Sequence, residues 1–159
     1  MKEKNLSGTS KTPRRLERIF AFKVLYGLAF SPVTDEAALK KAFCLSPDKP
    51  ESIEDARGFA WELVFGAWSR QAELDVALNA FSRNWRVERI GKVEGAILRL
   101  ALYELMYRPD VPAKAAINEA VELSKQFGDE ASRAFINGIL DAAAKAAAAG
   151  EFPHKATPR

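Results

Sequence analysis

Apolar residues recur along most of this chain every three or four positions, the spacing that collects them on one side of a helix. The run "IFAFKVLYGLAF" from Ile19 to Phe30 is apolar almost all round, the mark of a helix covered on several sides. Thr12 as N-cap and Pro13 as first helical residue are expected to open it, and Pro32 to close it. A short helix over 34–43 follows, then the turn-rich "LSPDKPES". Ser52 is expected to cap a helical stretch from Ile53 to about Phe81, with Trp61, Val64, Phe65, Trp68 and Ala72 at helical spacing, both Trp in the core, and a break near Ser69. "NWRVER" reads as a short turn before a helix from about Ile90 to Tyr107, ended by Pro109. Pro112 opens the next helix, which carries Ile117, Ala120, Val121 and Phe127 on one face and has Gly128 in the left-handed position past its end. Asp129 caps the last helix, which fades through "AAAKAAAA" into a polar tail.

Within that last helix "AFINGILD" contains Asn137-Gly138, the dipeptide of a tight hairpin turn. The flanking apolar segments are too short for strands. At about 100° per residue, Phe135, Ile136, Ile139, Leu140 and Ala143 share one side of a helix, with Gly138 at the edge of that arc. A mid-helix Gly costs about 1 kcal/mol against Ala, so its presence implies that something packs or binds close to the backbone there. No β-rich segment is found. The pattern as a whole is all-α, with about seven helices joined by short loops.

Composition narrows the chemistry. In 159 residues, 48% hydrophobic and 28% charged, there is material for one domain with a real core. The single cysteine, Cys44, has no disulfide partner, and the single histidine, His154, lies in the polar tail, so a Cys/His metal site or catalytic pair is excluded. No phosphate-binding glycine loop, dinucleotide fingerprint, zinc-protease motif or serine elbow is present. No enzyme activity, cofactor or metal is expected. The first 18 residues are polar and charged, unlike a secretory leader, and Lys23 interrupts the most apolar run, which is too short to span a membrane; a cytoplasmic location is expected.

Charge is unevenly placed. Residues 1–23 hold seven cations and two acids, a surplus of five, while the chain carries only +3 in all, leaving the remainder net acidic. This divides the chain into a basic arm over 1–12, a helical domain over 13–149 and a disordered tail over 150–159. Such a basic arm on a slightly acidic body suits an encounter with a polyanion. Arg14, Arg15 and Arg18 stand where cations oppose the helix dipole, so their removal is expected to cost the fold nothing. Together with the free N–H groups of the helix start they form a phosphate site, and Lys11, Arg15 and Arg18 share a face. The other reading of these residues is a solvated surface. Glu94 and Glu104 both fall on the apolar arc of the 90–107 helix. Glu94 is either a first-turn acid favoured by the dipole or a contact to another protein. Glu104 sits at the wrong end for an acid, which points to a buried hydrogen bond to a loop or helix cap.

The segments "RRLERIFAFKVLY", "NWRVERIGKVEGAILRLALYEL", "DVPAKAAINEAVELSKQFG" and "SRAFINGILD", in this order, resemble the NusB family of bacterial transcription antitermination factors over about Arg14 to Ala143. The resemblance implies two perpendicular three-helix bundles without catalysis. It also implies binding of single-stranded boxA RNA of ribosomal RNA leaders, together with the ribosomal protein NusE, in the antitermination complex of RNA polymerase. By position it assigns RNA contacts to Arg14, Arg15 and Arg18, although Leu16 and Glu17 interrupt the basic run, and the shared helical face adds Lys11 to them. Arg133 joins the same surface, and Phe135 either stacks on a base or packs in the core. Tyr26 and Glu94 map to the NusE surface. Gly138 falls in a family signature where helices approach closely. Two other readings remain: a protein-binding helical module without RNA, and a relative of the N-terminal domain of ribosomal RNA cytosine methyltransferases, for whose cofactor domain and catalytic cysteine 159 residues leave no room.

Overall fold

The computed structural model describes residues 12–82 and 90–152. Lys11 with the rest of 1–11, the turn segment 83–89, and His154 with the other residues past Phe152 lie outside that range. Seven helices and no strand make up the described residues: α1 (Arg14–Leu28), α2 (Glu36–Cys44), α3 (Gly58–Ser69), α4 (Gln71–Ser82), α5 (Lys92–Tyr107), α6 (Ala113–Phe127) and α7 (Glu130–Ala148). The all-α expectation holds, as does the break after Ser69.

The most covered helix is α5, buried from Gly95 to Leu98 and again from Leu100 to Glu104 and Leu105. It packs on α6, α4, α3, α1 and α7, while α1 lies chiefly against α3 and α5. Burying an all-apolar stripe on several neighbours is what a helix with little polar surface must do. The short α2 is held to α1 and α3 by Phe43, fully buried, whose ring meets Phe20 edge-on at 5.0 Å and Trp61 at 5.3 Å. Trp61 and Trp68 are half-buried and lie against the core rather than in it.

Several local expectations need correction. Thr12 does not cap α1: Pro13 occupies that position with no side-chain cap, and the buried Thr12 hydroxyl bonds Ser52 Oγ instead. Ser52 therefore caps nothing, and α3 begins only at Gly58. Ala56 at φ 49° and Gly58 at φ 80° are left-handed and hold the preceding segment out of a helix. The start of α3 is capped from another element, because Glu17 Oε1 on α1 accepts the Ala60 N–H at 2.9 Å. Gly128 is extended at φ −104°, not left-handed. A Cβ there would stand 2.9 Å from Ser132 Cβ and 3.0 Å from the Ser124 carbonyl, so the position demands Gly for space. Asp129 caps α7 as expected, accepting the Ser132 N–H at 2.8 Å.

The close approach of helices is not at Gly138, which is exposed with nothing near a built Cβ. It is at Gly66 on α3, where a Cβ would overlap the ring of Tyr103 on α5. After α7, Gly150 at φ 75° reverses the chain, and Phe152 is buried with its ring edge-on to Phe81 of α4 at 6.0 Å. The first residues of the expected tail are thus packed on the domain.

Candidate functional site

The start of α1 sorts its charges by helical angle. Arg14, Arg15 and Leu16 are exposed, while Glu17 and Arg18 turn inward. Arg18 does not join an exposed cationic face, contrary to the sequence reading. Its side chain is 8% exposed and donates from Nε and Nη2 to Glu104, itself 2% exposed, with Nη2 to Oε1 at 2.8 Å. A full charge in that setting persists only when matched by another, which also explains Glu104: the buried acid pairs with Arg18 on α1. Spacing alone places Arg18 on the same face as Arg15 and cannot show that a neighbouring helix supplies an acid to it.

Arg14 lies with its guanidinium carbon 3.9 Å from the centre of the Phe59 ring, where Arg108 also stands at 5.3 Å. Arg108 is itself engaged, with Nη1 donating to Glu62 at 2.7 Å and Nη2 to Asp110 at 2.8 Å. The hydrogen bonds from Arg108 pull the Asp110 carboxyl down to about 2, against the opposing effect of its partial burial. Arg15 reaches α6, donating Nε–H to Glu119 Oε1 at 3.1 Å and Nη2–H to Oε2 at 2.9 Å. The available cation edge is therefore Arg14 and the outer side of Arg15. Guanidinium groups with a free edge can take a phosphate in a bidentate grip.

A second surface forms where α1, α5 and α7 meet. Tyr26 is half-buried, stacked on Phe22 at 5.9 Å and meeting Phe30 edge-on at 5.1 Å. Glu94, in the first turn of α5, accepts from the Ser132 hydroxyl in the first turn of α7. Between them opens a shallow hollow of about 510 Å³ lined by Tyr26, Lys92, Val93, Glu94, Phe127 and the α7 start. The two residues assigned to partner binding are thus brought to one surface from positions 68 apart in the chain. Phe30 belongs with them and was missed: it is 60% exposed, with the Lys92 ammonium 5.3 Å from its ring centre. Its signal was its place at the end of the apolar run, past the helix, where no further turn covers it.

Arg133 is half-buried in the first turn of α7. Beside it the Ser132 N–H, aided by the charge of Arg133, holds the Asp129 carboxyl below its usual range. Phe135 is half-buried and packed against the core. Among the described residues no group of three or more His, Cys, Asp or Glu side chains is placed to hold a metal. No described helix is long and apolar enough to cross a membrane.

Comparison with known proteins gives a consistent result. The family profile described as the NusB family matches residues 15–145. The transcription antitermination protein NusB of Oleidesulfovibrio alaskensis is 59% identical over 148 residues, covering 92% of this chain and 96% of the relative. Among solved structures, the NusB of T. maritima aligns with a TM-score of 0.70 at 31% identity, covering 85% of this chain and 92% of that one. A crystal structure of the antitermination factors NusB and NusE in complex with double-stranded RNA aligns with a TM-score of 0.69 at 28% identity, covering 84% and 96%.

Proposed function

The chain belongs to the NusB family, and on that premise we propose that it is a transcription antitermination factor that binds boxA RNA of ribosomal RNA leaders together with the ribosomal protein NusE, promoting processive transcription by RNA polymerase. The observation that carries this is identity of 59% along nearly the whole length of a relative of that name. The role is one of binding without catalysis, exercised in the cytoplasm where the transcript is made.

Two surfaces divide the work. Arg14 and the outer edge of Arg15 contact RNA phosphates, with Lys11 extending the cationic path and Arg133 and Phe135 adding a second RNA contact on α7. Tyr26, Glu94 and Phe30 face NusE: two aromatic rings supply apolar area, and the carboxylate, fixed by Ser132, takes a cation. The residues before Thr12 and after Phe152 serve as extensions of the binding domain. A reading as a protein-binding module without RNA draws on one observation, that Arg15 and Arg18 are both matched by acids.

The test is fluorescence anisotropy of a labelled boxA oligonucleotide, single-stranded and as duplex, titrated with the chain in the presence and absence of NusE. Binding strengthened by NusE is expected. Glu94→Arg should remove the NusE-dependent gain and leave binding to RNA alone unchanged. A chain that takes up NusE while ignoring RNA at every salt concentration would establish the protein-only module.

A further inference from the structure

The contact between Arg15 and Glu119 bears on how tightly RNA is held. Arg15 is 59% exposed and Glu119 only 18%, so the acid sits beneath the arginine and the arginine faces solvent. Both hydrogen bonds leave from the Nε side of the guanidinium. Of its five N–H groups, those on the opposite edge take no part in that contact, which leaves an edge able to grip a phosphate. That phosphate would lie about 7 Å from the Glu119 carboxylate, and two unit charges at that distance in water repel enough to weaken binding by a factor of about three. Glu119 stays charged, because the Arg15 hydrogen bond holds its carboxyl below the usual range. Glu122 lines the same depression beside Arg15 and Glu119, its carboxylate paired with the Lys125 ammonium at 3.5 Å. Arg18 lines the same depression but is already matched by Glu104.

We propose that Glu119 is a tuning residue for nucleic-acid binding, whose carboxylate holds the Arg15 guanidinium outward while cancelling part of the attraction it offers to a phosphate. This rests on the RNA-binding reading given above. The position of the acid allows a clean separation of its two effects. Glu119→Gln keeps an oxygen that accepts the Arg15 Nε–H, and so keeps much of the orientation, but removes the charge.

The experiment measures affinity for the labelled boxA oligonucleotide at low and at physiological salt for wild type, Glu119→Gln, Arg15→Ala and the double variant. Glu119→Gln should bind about three-fold tighter at low salt, with a smaller gain at physiological salt because the repulsion is screened. In the Arg15→Ala background the same change should give no such gain. Equal or weaker binding by Glu119→Gln, or an equal gain without Arg15, overturns the proposal while wild-type binding still stands. A wild-type chain that binds no RNA overturns the functional reading together with the tuning role.

Discussion

Truncating either partner of the buried Arg18–Glu104 pair leaves a full charge where almost no water reaches it. Arg18→Ala or Glu104→Ala should therefore lose about 3–5 kcal/mol, read as a lower urea midpoint, whereas Arg18→Met combined with Glu104→Leu should recover most of it, since an apolar pair of similar volume leaves neither of these charges unpaired. The helix dipole alone gave the opposite expectation for Arg18, because a one-dimensional argument sees only the helix that carries the residue. Asp110 offers a milder case at the surface. Its carboxyl is pulled from 3.8 to about 2 by Arg108, so the folded state favours the ionised form. The resulting stabilisation is present above pH 3.8 and is lost as the pH falls toward 2. Its side chain is 51% exposed, which limits the effect to about 1 kcal/mol or less. Melts of wild type and Asp110→Asn should differ slightly at neutral pH and converge below pH 3.8; a gap that persists in acid would show that the charge is not its source.

At the level of helices, two glycines separate what a pattern reveals from what packing decides. Gly138 was legible as unusual, yet its Cβ would meet nothing, while Gly66 drew no notice and lies under the Tyr103 ring. Gly138→Ala should stabilise by up to about 1 kcal/mol, and Gly66→Ala should destabilise by about 1–3 kcal/mol as α3 and α5 are forced apart. Thermal denaturation of both variants checks the pair, and a stabilising Gly66→Ala would mean that the ring yields freely. Helix number, order and most boundaries followed from periodicity and proline placement, which are local properties. The start of α3 did not, because Ala56 adopts a left-handed backbone that its residue type does not advertise and because the cap at Ala60 comes from Glu17, 43 residues away. The site was legible in the same uneven way. Tyr26 and Glu94 were found as a pair through resemblance, but the pairing of Arg15 and Arg18 with acids on α6 and α5 needed the third dimension.

For the whole molecule, the division of charge sets the salt response. Within the described domain Arg15 and Arg18 are matched by acids, and the sequence adds Lys2, Lys4 and Lys11 in the arm. Removing residues 2–11 should flatten the dependence of log affinity on log salt by about two units, the share of three phosphates on a single strand; an unchanged slope would remove the arm from the RNA contact. The arm should go without loss of melting temperature, since the hydrophobic core begins at Phe20. The ion pair between Arg18 and Glu104 carries a last implication, for the order in which the chain is made. Its partners are 86 residues apart, which at about 5–20 residues per second of synthesis separates their emergence from the ribosome by roughly 4–17 s. Through that interval α1 carries an arginine that cannot be buried alone. The N-terminal half has to wait as an open nascent chain, accessible to chaperones, until α5 arrives and lets it close.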